Sequence, residues 1–134
     1  MEISDLNFLV VDDHLMIRSI LTKFLGEQNA KSVDTAVDGE DGLNKVKHAL
    51  NLNNPYNAIF LDWNMPKMSG FEMLLECRKD ERLKNTAIIM LTAESEEENI
   101  IKALSAGATA YIVKPFKEDV VLRRLDNVVN WLNK

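Results

Sequence analysis

The sequence holds a single cysteine, Cys77, so no internal disulfide can form and the chain suits a reducing compartment. No apolar run approaches the ~20 residues of a membrane span. The opening MEISDLNFLVVDDH is acidic, and its apolar stretch is too short for a signal peptide. A cytoplasmic location is therefore expected. Positive charge is not in excess: 16 Lys and Arg stand against 21 Asp and Glu, a net charge of −5. That balance argues against nucleic acid as the main partner. Repeats, low-complexity tracts and linkers are missing. The segment VDDHLM contains no glycine, which speaks against the Gly-rich first loop of a flavin- or dinucleotide-binding domain. What remains is a chain of 134 residues, 46% hydrophobic and 28% charged, expected to form one domain over 1–134 with a substantial core.

Five short apolar runs punctuate it: LNFLVV (6–11), KSVDTAV (31–37), NAIFLDW (57–63), TAIIMLT (86–92) and ATAYIV (108–113). Most are continuously apolar rather than alternating, as strands covered on both faces are. Helical spacing fills the gaps. Ile17, Ile20, Leu21, Phe24 and Leu25 form one stripe, and Val121, Leu122, Leu125, Val128, Val129 and Leu132 form another. Leu43, Val46 and Leu50, then Phe71, Leu74 and Leu75, and then Ile100, Ala103 and Leu104 form thinner ones. Gly26 and Gly107 are expected as left-handed residues after helices, and Asp38 as an N-cap. NLNNPYN (51–57) reads as a loop. Strand and helix alternate five times, and right-handed crossovers then give a doubly wound parallel sheet with helices on both faces.

Ligands of such sheets bind beyond the carboxyl ends of the strands. Asp12 and Asp13 follow the first strand, Asp62 ends the third, Thr92 ends the fourth and Lys114 follows the fifth. Three carboxylates on one edge repel one another, by about 3 kcal/mol per pair at ~5 Å and an effective dielectric of ~20. Protonation or a divalent cation relieves that repulsion, and Mg2+ suits a site with carboxylates, waters and a phosphate. With the ammonium of Lys114 and the hydroxyl of Thr92, the constellation fits phosphoryl transfer to a carboxylate.

The pieces VVDDH, LDWNMPKMSG, MLTA and YIVKPF, in that order over essentially the whole chain, resemble the receiver domains of two-component response regulators. LDWNMP with Asn64 and YIVKPF with Tyr111 are most similar to the single-domain chemotaxis branch of that family. The resemblance implies a flavodoxin-like sheet of five strands in order 2-1-3-4-5 with five helices. It implies Asp62 as phosphoacceptor, with Thr92 and Lys114 holding the phosphoryl oxygens. Mg2+ would be bound by Asp13, Asp62 and the backbone carbonyl of Asn64, with Asp12 acting largely through water. Lys114–Pro115 would be cis. Thr92 and Tyr111 would form a switch, and Asn64 and Glu94 would tune dephosphorylation. A sensor histidine kinase is the implied donor, and autophosphorylation and autodephosphorylation are implied rather than turnover of a separate substrate. The output would pass through the face of helix 4, strand 5 and helix 5 to a target such as a flagellar motor switch. An external phosphatase and a monomeric state also follow.

Other readings compete. A phosphorelay shuttle, or a receiver with a target outside motility, uses the same module. An aspartyl-phosphate phosphatase needs a second acid two residues past the nucleophile, where Asn64 stands and cannot titrate. His14, where the family often has a small or acidic residue, reads as a solvated helix-start residue, and His48 as a surface residue. Cys77 reads as a small apolar filler and Trp131 as packing the last helix to the sheet. ESEEEN (94–99) reads as a solvated acidic helix start. The connection around NLNNPYN is longer than is usual in the family.

Overall fold

The computed structural model describes residues 1–93 and 97–134. Its elements are β1 (Asn7–Val11), α1 (Leu15–Glu27), β2 (Ser32–Ala36), α2 (Gly39–Asn51), β3 (Ala58–Asp62), α3 (Gly70–Lys79), β4 (Ala87–Ala93), α4 (Glu97–Ser105), β5 (Ala110–Lys114) and α5 (Glu118–Leu132), with short 3-10 turns at Ile3–Asp5 and Glu81–Leu83. The strands form one parallel sheet in the order β2-β1-β3-β4-β5. This is the architecture expected from the continuous apolar runs. Every residue of β3, and every residue of β4 up to Thr92, is buried, because both strands lie inside the sheet with helices on either side.

Alternation along the strands splits the core in two. Leu9, Val11, Ile59, Leu61, Ile88 and Met90 pack against Leu43 and Val46 of α2, Met73, Leu74 and Cys77 of α3, and Ala103 of α4. Phe8, Val10, Phe60, Ile89, Leu91 and Ile112 pack against Leu21 and Leu25 of α1 and Val121, Leu125 and Val128 of α5, with Trp131 at the margin. Each large aliphatic side chain buried this way contributes about 1.5–3 kcal/mol.

Several local expectations need correction. Gly26 lies inside α1, and the left-handed position falls to Asn29 (φ 62°). Asparagine is one of the few residues with a side chain that visits this region readily. Gly107 does have positive φ (108°). In α3 the buried stripe is Met73, Leu74 and Cys77, and Leu75 points outward. In α4 only Ala103 is fully buried, and Leu104 is exposed. The helix α2 runs through Asn51, so the loop starts one residue later, with Asn53 at positive φ. Asp38 caps α2 as expected, its Oδ1 accepting from Asp41 N at 2.8 Å.

The amino edge of the sheet is tied by side chains. Arg78, at the end of α3, donates to the carbonyls of Gly107 (2.8 Å), Leu83 (2.8 Å) and Thr86 (2.9 Å) and to Thr109 Oγ1 (3.4 Å). Burial lowers the pKa of its guanidinium. Asn57 Oδ1 accepts from Asn7 N at 2.7 Å, and Ser32 Oγ donates to Asn7 Oδ1 at 2.7 Å. Near the same edge, the Met1 amino group donates to Asn133 Oδ1 (2.7 Å) and Asn133 Nδ2 to Met1 O (2.9 Å).

Candidate functional site

Parallel strands end side by side, so their carboxyl ends gather Asp12, Asp13, Asp62, Thr92 and Lys114 on one edge. Asp12 extends the ladder past β1, its N–H donating to Ala36 O at 3.2 Å. Its side chain is fully buried. Asp62 is the last residue of β3, Thr92 the penultimate residue of β4, and Lys114 the last of β5. The peptide bond from Lys114 to Pro115 is cis. Lys114 Nζ lies between two carboxylates, 2.8 Å from Asp12 Oδ2 and 2.9 Å from Asp62 Oδ1.

The loop that follows β3 is held against the phosphoacceptor candidate. Trp63 N donates to Leu91 O at 3.1 Å, and Gly70 N donates to Trp63 O at 2.9 Å. A Cβ at Gly70 would sit 1.9 Å from Asp62 O, so the first turn of α3 closes on the Asp62 backbone only because residue 70 has no side chain. Ser69 and Glu72 form a capping box there, with Glu72 N donating to Ser69 Oγ at 3.1 Å. Asn64 lies exposed in this loop, two residues beyond Asp62.

Two buried polar atoms have no hydrogen-bond partner among the described residues: Asp62 Oδ2 and Thr92 Oγ1. Such atoms are costly, by about 1–3 kcal/mol each, and mark places where a ligand completes the bonding. Burial pushes the Asp62 carboxyl up to about 6; the Lys114 hydrogen bond pulls it back, and the charges of Asp12 and Asp13 push it further up. Burial disfavours the Lys114 ammonium, but its bonds to Asp12 and Asp62 outweigh that and raise its pKa. Ligand atoms of Asp12, Asp13, His14 and Asp62 all lie within 4.8 Å of one another. The group therefore fits a divalent cation, both in its oxygen donors and in the unpartnered Asp62 Oδ2.

His14 departs from expectation. Its ring is exposed, as read from the sequence, but Nδ1 stands 3.0 Å from Asp12 Oδ1 and 3.2 Å from Asp13 Oδ1. It occupies the N-cap of α1 and makes no side-chain capping bond. Its own N–H donates to Asp12 Oδ1 at 2.9 Å. Its place at the helix start agrees with the sequence reading; its closeness to both aspartates is what the structure adds.

On the α4 side, Tyr111 and Thr92 share one face of the sheet. Tyr111 pairs with Met90 and Val113 with Thr92, so the two side chains sit two positions apart on adjacent strands. Tyr111 is half-buried, and Arg124 of α5 grips it twice, with Nε donating to Tyr111 O (2.8 Å) and Cζ 5.4 Å from the ring centroid. Sequence reading missed Arg124. The Trp63 ring stacks on Phe71 (5.1 Å), and Lys102 of α4 sits over Phe71 (4.4 Å), which links the end of β3 to α4. Glu94 lies outside the described residues. No described helix is long and apolar enough to cross a membrane.

The chain is similar to known proteins. Chemotaxis protein CheY-3 of Vibrio cholerae is 35% identical over 124 residues, 92% of each chain. Chemotaxis protein CheY of Pseudomonas aeruginosa is 34% identical over 128 residues, 96% of this chain and 99% of that one. Among solved structures, Vibrio cholerae CheY4 superposes with a TM-score of 0.81 at 35% identity, covering 92% of this chain and 98% of that one. A response regulator/GGDEF domain protein has the same fold with a TM-score of 0.88 at 20% identity, over 98% of this chain and 52% of that one. Residues 8–126 match the response regulator receiver domain. With its parallel sheet and its acidic carboxyl edge, the chain belongs to the receiver domain family of two-component response regulators.

Proposed function

We propose that residues 1–134 act as one phosphoacceptor unit in which Asp62 takes a phosphoryl group from a phosphohistidine of a sensor histidine kinase, or from acetyl phosphate. The observation that carries this reading is Asp62 Oδ2, buried and unpartnered beside a lysine ammonium and two further aspartates. A group with pKa about 6 is about nine-tenths ionised at pH 7, yet more basic than an ordinary aspartate, which favours nucleophilic attack. Asp62 forms the new O–P bond as the donor's bond to phosphorus breaks, P–N in phosphohistidine with imidazole leaving, P–O in acetyl phosphate with acetate leaving. Lys114 meets the phosphoryl oxygens, and Thr92 donates its hydroxyl to one of them. Asp12, Asp13, Asp62 and the backbone carbonyl of Asn64 would hold Mg2+, which offsets the charge of the carboxylates and the phosphoryl group.

The names of the similar proteins support a place in chemotaxis. A flagellar motor switch component would be the target, and the α4–β5–α5 face, around Ile100, Lys102, Tyr111 and Lys117, the readout. Movement of Thr92 toward the phosphoryl oxygen would open room for Tyr111 to turn inward, a two-state element biased by phosphate. Asn64 and Glu94 would set the access of water to the acyl phosphate, and an external phosphatase would act from the same side. The chain would work as a monomer in the cytoplasm, signalling rather than turning over a substrate. Intact-mass measurement with acetyl phosphate tests the reading. One phosphate is expected on the wild type with Mg2+ and none on Asp62→Asn or in the presence of chelator. Equal uptake by Asp62→Asn would overturn it.

A further inference from the structure

We infer that His14 is a nitrogen ligand of the cation site and shifts its preference from Mg2+ toward borderline transition ions such as Mn2+ and Co2+. The inference rests on the proposed reading that the acidic edge binds a divalent cation. Its first support is distance. Adjacent ligands of an octahedral ion with bonds of about 2.1 Å stand about 3.0 Å apart. His14 Nδ1 is 3.0 Å from Asp12 Oδ1 and 3.2 Å from Asp13 Oδ1, so it stands near ligand-to-ligand distance from each of the two carboxylates. Asp62 supplies the independent sign of a ligand: its side chain is 93% buried, its Oδ2 has no partner among the described residues, and it belongs to the same 4.8 Å group.

The local backbone holds the ring there. His14 is the N-cap of α1 in extended conformation (φ −94°, ψ 117°), and its N–H is bound to Asp12 Oδ1. An N-cap side chain ordinarily accepts from the first turn of its helix. This one makes no such bond, and its Nδ1 faces the carboxylates instead. With an ion bound, the exposed ring would let solvent serve the other nitrogen, which would keep the proton while Nδ1 offers its lone pair. Lys114 holds the opposite oxygen, Asp12 Oδ2, so Asp12 Oδ1 is the oxygen that faces His14. Carboxylates and water alone suit Mg2+, whereas an added imidazole favours ions later in the first transition row.

The test is metal binding without any phosphate. Calorimetric titration with Mg2+, Mn2+ and Co2+ is run on wild type, His14→Phe and His48→Gln, together with pulsed-EPR spectra of the Mn2+ complexes. His48, the only other histidine, lies in the last turn of α2 and is the control. The expected result is nitrogen hyperfine coupling in wild type and His48→Gln that is absent from His14→Phe. The ratio of Co2+ to Mg2+ affinity should fall about ten- to a hundredfold in His14→Phe. If Mg2+ and Mn2+ bind the wild type with no imidazole coupling, His14 is not a ligand and this inference alone fails. If no ion binds the wild type at all, the proposed cation site fails with it. The wild-type spectrum decides the matter even if His14→Phe folds poorly.

Discussion

At the amino edge of the sheet, one guanidinium serves three carbonyls and a hydroxyl, and Asn7, Ser32 and Asn57 close a hydrogen-bonded set around the start of β1. At the carboxyl edge, three carboxylates gather, two of them bonded to one lysine, and two buried oxygens have no partner among the described residues. The same five strands thus carry a satisfied polar network at one end and a strained one at the other. Stability belongs to the first, and capacity for a ligand to the second. A receiver needs both, because a site that shifts its charge must be anchored to a sheet that does not yield.

The comparison breaks most visibly at the clamp. Arg78→Ala removes the donor to the carbonyl of Thr86 and one of two donors to the carbonyl of Leu83, which keeps the Thr86 N–H, and both residues are buried. A loss of about 3 kcal/mol or more in urea unfolding is expected, while the folded fraction still takes phosphate at Asp62. A variant as stable as wild type would show that the clamp does not carry the fold.

The opposite sign is expected at the other edge. The folded carboxyl of Asp62 sits at about 6, above its ordinary 3.8, so the native state holds a proton that the unfolded chain releases between those values. Stability from this group is present at low pH and is lost as pH rises from about 4 through about 6. At pH 7 without divalent cations, Asp62→Asn should therefore gain about 1–3 kcal/mol and lose this portion of the pH dependence. Urea midpoints from pH 4.5 to 7.5 in chelator check it; a destabilised Asn variant would contradict the strain argument.

A smaller gain, about 1 kcal/mol, is expected for Thr92→Val, which keeps the shape and removes a buried hydroxyl with no partner among the described residues. The same variant should still take phosphate at Asp62 but bind its target no better with beryllofluoride than without. Full enhancement would remove Thr92 from the coupling. Least of all in energy, Mg2+ and beryllofluoride should change the emission of Trp63, next to Asp62, and leave Trp131 almost silent. Trp63→Phe should abolish the signal.

How far these edges are legible in the sequence depends on the range of the interactions. Continuous runs such as NAIFLDW and TAIIMLT dictate buried parallel strands by themselves, and strand ends then place Asp12, Asp62, Thr92 and Lys114 together. Asp38 announces its cap through local spacing. What escaped depends on three-dimensional reach. Arg78 and Arg124 look like ordinary helical basic residues until carbonyls from distant segments meet them. Asn29 rather than Gly26 takes the left-handed position after α1, because the helix runs on through Glu27. His14 stands at a helix start, and that position alone does not give the direction of its Nδ1.

The clasp between Met1 and Asn133 has a consequence for chain topology. Met1 and Asn133 meet near the amino edge, across the length of the sheet from the acidic group. A short flexible linker from Lys134 to Met1 spans little distance and would close the chain into a ring. Closure removes entropy from the unfolded ensemble without asking the native backbone to move. A circular form, or one reopened in the loop after α2, would present the same carboxyl edge on a chain whose beginning and end lie elsewhere.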